Sequence, residues 1–407
     1  MTVKIKQAVV LCGGLGTRLR PFTDQNPKPM VRLNNKPFLD YLFDQMLDNG
    51  IRRVLLLTGY LSDKITHHYG TQYKSLKISY SHGDVSLDTA ERLEHAADKI
   101  DDYFLLMYSD NYSLFSLKRA ISAFHIGQSL RLYLSEKVNG NISMGEGDRV
   151  SQYNPDRGFS ADYVELGYIL VNKSRVFEYL TKLGKSFTQT IIKCVSDGTV
   201  SAQISQHKYY SISDPERLKL TEQYLNCKRI ILIDRDGVIN VKAPKAEYIT
   251  RPEDFVMIPD TLMAMKSLSA KGFQFIIISN QAGVGRGVFT QQQLDSVNNK
   301  LRSIMINEGI SILDIYTCIH SWNDGCECRK PKPGMLIDAA TKYQLRLDKI
   351  LFIGDDIRDV QASINTGCKS ALINYDKMSL ENSNMVPTYM AKNLSLLIDE
   401  IIVFYNA

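Results

Sequence analysis

A short apolar run closed by glycine or acidic punctuation occurs twice in this chain, at Gln7 to Leu11 before Gly13 and Gly14, and at Arg229 to Ile233 before Asp234 and Asp236. Each run has the length and composition of a buried strand, and the residues after it are those that form loops at strand ends. The restart predicts two α/β domains. Length agrees, because 407 residues exceed the roughly 250–300 at which a single core stops growing. In the first half Gln7 to Leu11, Arg53 to Leu57 and Tyr103 to Tyr108 read as buried strands separated by amphipathic stretches such as Pro37 to Asn49. That alternation implies a mainly parallel sheet. In the second half Arg229 to Ile233, Phe273 to Ile278, Ile312 to Cys318, Ile350 to Ile353 and Ser370 to Ile373 repeat it, with helices near 260–270, 291–307 and 334–344. The fold class expected is α/β with two doubly wound domains. A polar helical stretch, Pro215 to Asn226, runs straight into the second set of strands. The boundary is expected near 222–227, giving domains 1–224 and 225–407.

Composition narrows the function classes. With 44% hydrophobic and 23% charged residues the chain is globular rather than disordered or fibrous. Lys plus Arg number 49 against 44 Asp plus Glu, without a concentrated basic run, so nucleic acid is not an expected partner. No apolar stretch approaches the roughly 20 residues of a membrane span, and the N-terminal segment enters a glycine loop too soon for a signal peptide. A cytosolic protein without a membrane partner is expected. Seven cysteines is an odd count, and the crowding of three of them between 318 and 328 suggests metal ligation more than disulfides. Nothing in the sequence specifies an oligomeric state.

Gly13, Gly14 and Gly16 follow the first strand directly, so backbone N–H groups can surround an anion, with a helix expected just after. The loop lacks the Lys-Ser/Thr ending of a P-loop and does not fit G-x-G-x-x-G. The run Gly13-Gly14-Leu15-Gly16-Thr17-Arg18-Leu19-Arg20-Pro21, then Pro27-Lys28-Pro29-Met30, resembles the signature of the sugar-phosphate nucleotidylyltransferases. The resemblance implies a Rossmann-type domain joining a sugar 1-phosphate to the α-phosphorus of a nucleoside triphosphate. Gly13, Gly14, Gly16 and Thr17 would hold the nucleotide, Arg18 the triphosphate and Lys28 the reacting phosphates. Asp110 takes the place of the family's Mg²⁺-binding aspartate. Such chemistry asks for cations on crowded oxygens and in-line geometry.

Three departures bear on activity in that domain. Leu87-Asp88-Thr89-Ala90 replaces the usual Leu-Gly-Thr-Ala, which puts a carboxylate where backbone normally approaches the base. Tyr153-Asn154-Pro155 lacks the sugar-phosphate lysine of Glu-Lys-Pro, and Ser211 stands where the second metal aspartate is usual. A weakened transferase, or a domain that only binds sugar nucleotide, is the alternative to catalysis.

Asp234-Arg235-Asp236-Gly237-Val238 resembles the first motif of the haloacid-dehalogenase phosphatases. Two carboxylates two apart at an extended strand end share a side, so one can attack phosphorus while the other exchanges a proton with the leaving oxygen. Asp234 would be the nucleophile and Asp236 the acid and base. Ser279-Asn280, then Lys330 in Arg329-Lys330-Pro331, then Asp355 in Gly354-Asp355-Asp356-x-x-Asp359 match the later motifs in order. By resemblance Ser279 and Asn280 hold the phosphoryl group, Arg329 and Lys330 offset charge, and Asp234, Asp236 and Asp355 bind Mg²⁺.

Cys318, His320, Cys326 and Cys328 offer three thiolates and an imidazole, the ligand set of a closed tetrahedral Zn²⁺ site. They resemble the structural zinc loop of the histidinol-phosphatase and heptose-bisphosphate-phosphatase branch. The stretches around Arg251 to Phe255 and Asn280 to Gly287 favour the heptose enzymes, while the short loop between His320 and Cys326 is equally like the histidinol-phosphate ones. Fusion to a nucleotidylyltransferase-like domain favours heptose, since removing the 7-phosphate of a heptose bisphosphate leaves a 1-phosphate that such a domain can activate. The expectation is a bifunctional enzyme with sugar-phosphate and nucleoside-triphosphate substrates and GDP-heptose as product. A DNA 3′-phosphatase, which uses the same aspartates, is disfavoured by the mild charge and the missing P-loop.

Overall fold

The computed structural model describes residues 3–155, 161–182, 186–244, 247–375 and 385–406. The chain divides into two compact units, Met1–Leu225 and Asn226–Ala407.

At the centre of the first unit, strand Gln7–Cys12 lies parallel to Arg53–Thr58 on one side and to Tyr103–Tyr108 on the other, with Leu76–His82 parallel beyond Arg53–Thr58. Val10, Val54, Leu56 and Leu105 pack on one face, and Val9, Leu55, Leu57 and Leu106 on the other. Both faces are covered, which explains why these strands read as unbroken apolar runs. The parallel pairing expected for most of the sheet holds at this centre, and antiparallel strands extend it. Ala161–Asn172 joins Tyr103–Tyr108 antiparallel and carries Leu130–Gly140, also antiparallel, which in turn pairs in parallel with Val200–Ile204. These outer strands escaped the sequence reading because polar residues such as Ser135, Glu136 and Asp162 interrupt their apolar runs.

The glycine loop also differs from expectation. Only a single 3-10 turn, Thr17–Leu19, follows it, entered through Gly16 at φ 64°. A residue with a Cβ is strained at that angle. Strand order reverses at Gln7–Cys12, whose neighbours on its two sides are Arg53–Thr58 and Tyr103–Tyr108. Such a reversal opens a crevice at the carboxyl ends of the strands.

The second unit is a six-stranded, fully parallel sheet in the order Ile312–Cys318, Gln274–Asn280, Ile230–Ile233, Leu351–Gly354, Lys369–Ile373, Tyr389–Ala391. Its reversal point is Ile230–Ile233, so residues just after this strand and its neighbours share one rim. Helices Pro259–Ala270, Gln291–Asn307 and Gly334–Tyr343 stand where the periodicity predicts them. Among the described residues no helix is long and apolar enough to cross a membrane.

Candidate active sites

In the first unit a cavity of about 560 Å³ opens at the reversal point, and its lining includes Gly13, Gly14, Gly16, Thr17, Arg18, Lys28, Asp88 and Asp110. Lys28 Nζ meets Asp110 Oδ2 at 2.5 Å, tying the Pro-Lys-Pro turn to the end of strand Tyr103–Tyr108. Residues expected to serve nucleotide and metal are therefore brought together.

Asp88 has a local explanation. Its Oδ1 accepts from Ala90 N at 2.8 Å and Glu91 N at 3.0 Å, while Glu91 returns a carboxylate to Asp88 N. It is the N-cap of helix Thr89–His95, closed by a capping box, a role that Asp fills better than the family's glycine. Ser211 is buried on a two-residue strand paired with Asn111, and Ile212 N donates to Asp110 O at 2.9 Å. It thus stands beside Asp110, where a second carboxylate would be useful, and supplies only a hydroxyl. Asn154 hydrogen-bonds through its backbone to Asn141 O, and it does not line this cavity.

Two residues of this site went unnoticed in the sequence. Buried Arg92 donates to Thr58 O at 2.9 Å, Asp84 O at 2.7 Å and Leu87 O at 3.1 Å, with Gly13 O at 3.5 Å. A Cβ on Gly13 would come within 2.3 Å of its guanidinium, so the glycine is required by Arg92 as much as by any ligand. Glu165, near Asp110, has its carboxyl pushed up to about 7 by burial, partly offset by Gly167 N. No local signal marks either residue, since Arg92 reaches Thr58 and Gly13, and Glu165 meets the Asp110 charge, across long stretches of chain.

The second unit holds a cavity of about 400 Å³ lined by Asp234, Asp236, Ser279, Asn280, Arg329, Lys330, Asp355 and Asp359, among others. Lys330 Nζ stands 2.8 Å from Asp234 Oδ1 and 2.8 Å from Asp359 Oδ1. Asp234 Oδ1 also accepts from Arg235 N at 2.7 Å. Both partners engage the same oxygen of the carboxylate. Burial pushes Asp234 up to about 6 against the pull of Lys330, and burial with the Asp234 charge does the same for Asp355.

The Mg²⁺ ligands expected from the sequence are Asp234, Asp236 and Asp355. Asp234, Asp355 and Asp359 place one oxygen each within 4.8 Å of one another, and Asp236 is not in that group. Its carboxylate is taken by Arg235 Nη2 at 2.9 Å, Gln281 Nε2 at 2.6 Å and Asn240 Nδ2 at 3.0 Å. Burial raises the Asp236 carboxyl, but Arg235 and these hydrogen bonds outweigh it and hold it below the usual range. Arg235, a fully buried side chain, was missed in the sequence because a lone arginine between two aspartates reads as a solvated turn. Asp355 Oδ1 is buried and has no hydrogen-bond partner among the described residues. An orphaned carboxylate oxygen facing two further carboxylates is the donor set of a hard divalent cation such as Mg²⁺. Arg329 Nη1 is likewise buried and unpartnered, as suits a phosphate-binding cation. Asn280 clamps the next loop, with Nδ2 on Lys330 O and Oδ1 on Lys330 N, each at 3.1 Å.

Beside this cavity the four expected ligand atoms of Cys318, His320, Cys326 and Cys328 lie within 4.8 Å of one another. Cys318 Sγ is 3.7 Å from both Cys326 Sγ and His320 Nδ1, and His320 Nδ1 is 3.1 Å from Cys328 Sγ. A tetrahedral Zn²⁺ with Zn–S of about 2.3 Å has edges of roughly 3.7 Å, so the cluster matches its size. Burial and the neighbouring sulfurs push the Cys328 thiol up to about 12, a cost that a bound dication removes.

Residues 7–198 match the family model described as Nucleotidyl transferase, and residues 229–377 match that of Polynucleotide kinase 3 phosphatase. The D-glycero-beta-D-manno-heptose-1,7-bisphosphate 7-phosphatase of Pseudomonas putida is 33% identical over 176 residues, which are 43% of this chain and 99% of the relative. Among solved structures, the D,D-heptose 1.7-bisphosphate phosphatase from B. bronchiseptica complexed with magnesium and phosphate is 28% identical, over 43% of this chain and 98% of its own, with a TM-score of 0.41. HddC from Yersinia pseudotuberculosis complexed with GMP-PN is 22% identical, over 53% of this chain and 97% of its own, with a TM-score of 0.44.

Proposed function

Because this chain belongs, through its second domain, to the D-glycero-beta-D-manno-heptose-1,7-bisphosphate 7-phosphatase family, we propose that it removes the 7-phosphate of a heptose bisphosphate there and activates the resulting 1-phosphate in its first domain. The chain joins a nucleotidyltransferase domain to a phosphatase domain. The observation that carries the consecutive reading is the meeting of Asp234, Ser279, Lys330 and Asp355 in one cavity, in a chain whose first domain joins Arg18, Lys28 and Asp110 in a cavity of its own.

In the phosphatase step the Asp234 carboxylate attacks phosphorus and forms an aspartyl-phosphate. Ser279 Oγ accepts from Gln281 Nε2 at 2.8 Å, which leaves its own proton free to donate to a phosphoryl oxygen. Lys330 offsets the charge gathered by Asp234, Asp359 and the phosphoryl group. Asp236 is ionised in the free protein; the incoming phosphate, a like charge, raises its affinity for a proton. That proton passes to the leaving alkoxide, and the restored carboxylate then takes one from the water that hydrolyses the intermediate. Mg²⁺ held by Asp234, Asp355 and Asp359 would neutralise phosphoryl oxygens and fix their orientation. The neighbouring thiol cluster, with Zn²⁺, would hold the loop that carries Arg329 and Lys330.

In the transfer step an oxygen of the sugar 1-phosphate attacks the α-phosphorus and pyrophosphate leaves. Arg18 and Lys28 supply the cations, Asp110 the metal-binding carboxylate, and Gly13 to Thr17 the cradle; GDP-heptose is the product we favour. Ser211, standing where a second metal aspartate is usual, favours a second reading in which the first domain binds sugar nucleotide without turnover.

Phosphate and pyrophosphate release, assayed separately on a panel of sugar phosphates with GTP, dTTP, UTP, CTP and ATP, tests both. Release of one phosphate from the heptose bisphosphate followed by GTP-dependent pyrophosphate release supports the sequence. Triphosphate binding without pyrophosphate selects the binding-only reading. Phosphate release from a 3′-phosphorylated DNA end but from no sugar phosphate overturns the substrate class.

A further inference from the structure

Trp322 is the sole tryptophan of the chain, and it is 56% exposed while lining the phosphatase cavity. Its exposed indole therefore gives the cavity an aromatic wall that a bound ligand can meet. The turn that carries it lies between His320 and Cys326 of the thiol cluster and is closed by Ser321 N on Asp324 Oδ2 at 2.7 Å. Arg286 Cζ lies 4.0 Å from the indole centroid, a cation–π contact that occupies one ring face. Arg286 Nη1 in turn donates to the Tyr248 hydroxyl at 3.4 Å, and Tyr248 lines the same cavity. The short helix Ala282–Gly285 before Arg286 is pressed against the thiol loop, since a Cβ on Gly285 would meet Ile319 O and Ser321 N at 2.6 Å. The groups that engage phosphate, Lys330, Ser279 and Arg329, need no aromatic wall. A sugar does, because its ring presents C–H bonds on its faces and hydroxyls at its edge, and aromatic faces bind such slabs by dispersion and burial.

We propose that Trp322, positioned by Arg286, is the platform on which the carbon skeleton of the sugar phosphate lies, and that it sets the preference for sugar phosphates over other phosphomonoesters. The proposal rests on the phosphatase reading above and adds the residue that recognises the sugar.

The test is the Trp322→Ala variant, with zinc content confirmed equal to wild type. KM for the heptose bisphosphate is expected to rise about tenfold with kcat within about twofold, while the Ki of inorganic phosphate stays unchanged; Trp322→Phe should restore most of the KM. In the non-hydrolysing Asp234→Asn protein, tryptophan emission reports this ring alone. It should change saturably with the bisphosphate and not with inorganic phosphate. An unchanged KM in Trp322→Ala, or silent emission while calorimetry records bisphosphate binding, overturns the proposal. Should the heptose bisphosphate not be hydrolysed but another sugar phosphate be, the same KM shift on that compound upholds the platform and overturns only the heptose assignment. A chain that hydrolyses no sugar phosphate overturns both.

Discussion

Lys330 Nζ lies 2.8 Å from Asp234 Oδ1 and is shared at the same distance with Asp359. One buried ammonium thus holds together a carboxylate at a strand end and another on helix Ile357–Thr366. Removing one partner of a buried ionic group costs about 3–5 kcal/mol, because uncompensated charge is left behind. Lys330→Ala should lower unfolding stability of the second domain by about that much and abolish phosphatase turnover, as read by denaturant titration and phosphate release. A loss below about 1 kcal/mol would show that the carboxylates simply take up protons.

Asp234→Asn removes the nucleophile without changing side-chain volume. Phosphate release should vanish, and any nucleotidyl transfer by the first domain should persist at the wild-type rate. Retained phosphate release refutes the assignment of Asp234.

Asp234 and Asp355 are both pushed up to about 6, chiefly by burial. The folded protein therefore binds these protons more tightly than the unfolded chain. Their stabilising contribution is present below the ordinary carboxylate range and is lost as pH rises through about 6. Mg²⁺ competes with those protons. Its effect on Tm should be largest near pH 7–8 and fade as pH falls through about 6. Scanning fluorimetry with and without Mg²⁺ checks this, and a shift constant down to about pH 5 counts against the site.

Purified protein should carry about one Zn²⁺ per chain, and Cys326→Ser should reduce both the metal content and the thermal stability of the second domain. Metal analysis of unchelated protein decides it; absence of zinc sinks the assignment.

In the first domain, binding should outlast catalysis, because a missing carboxylate at Ser211 weakens charge neutralisation in the transition state more than docking of the triphosphate. Arg18→Ala should abolish triphosphate binding by calorimetry in the presence of Mg²⁺, and Asp110→Ala should remove whatever transfer the wild type shows. Asp88→Ala should cost about 1 kcal/mol of stability through loss of the helix cap and leave triphosphate affinity within about threefold. A large affinity change on Asp88→Ala would return that carboxylate to the binding site.

The sequence by itself determined the two parallel centres and the order of their motifs. An apolar run ending in Gly13 or Asp234 is a local signal, and a parallel sheet brings the ends of such runs to one rim whatever lies between. For the same reason Ser279, Lys330 and Asp355 could be read in order, and the spacing of Cys318, His320, Cys326 and Cys328 could be read as a ligand set. Only the tertiary structure decided what stands behind those residues. Arg92 reaches Gly13 across 79 positions, Arg235 turns inward onto the Asp236 carboxylate, and Asp359 joins Asp234 and Asp355 from a helix. Asp88, an anomaly in the motif, became a helix cap once its backbone neighbours were in place. Periodicity and spacing report which face of an element is buried. They carry no information about which distant charge shares that burial, and in a low-dielectric interior that partner fixes the protonation state of each carboxylate.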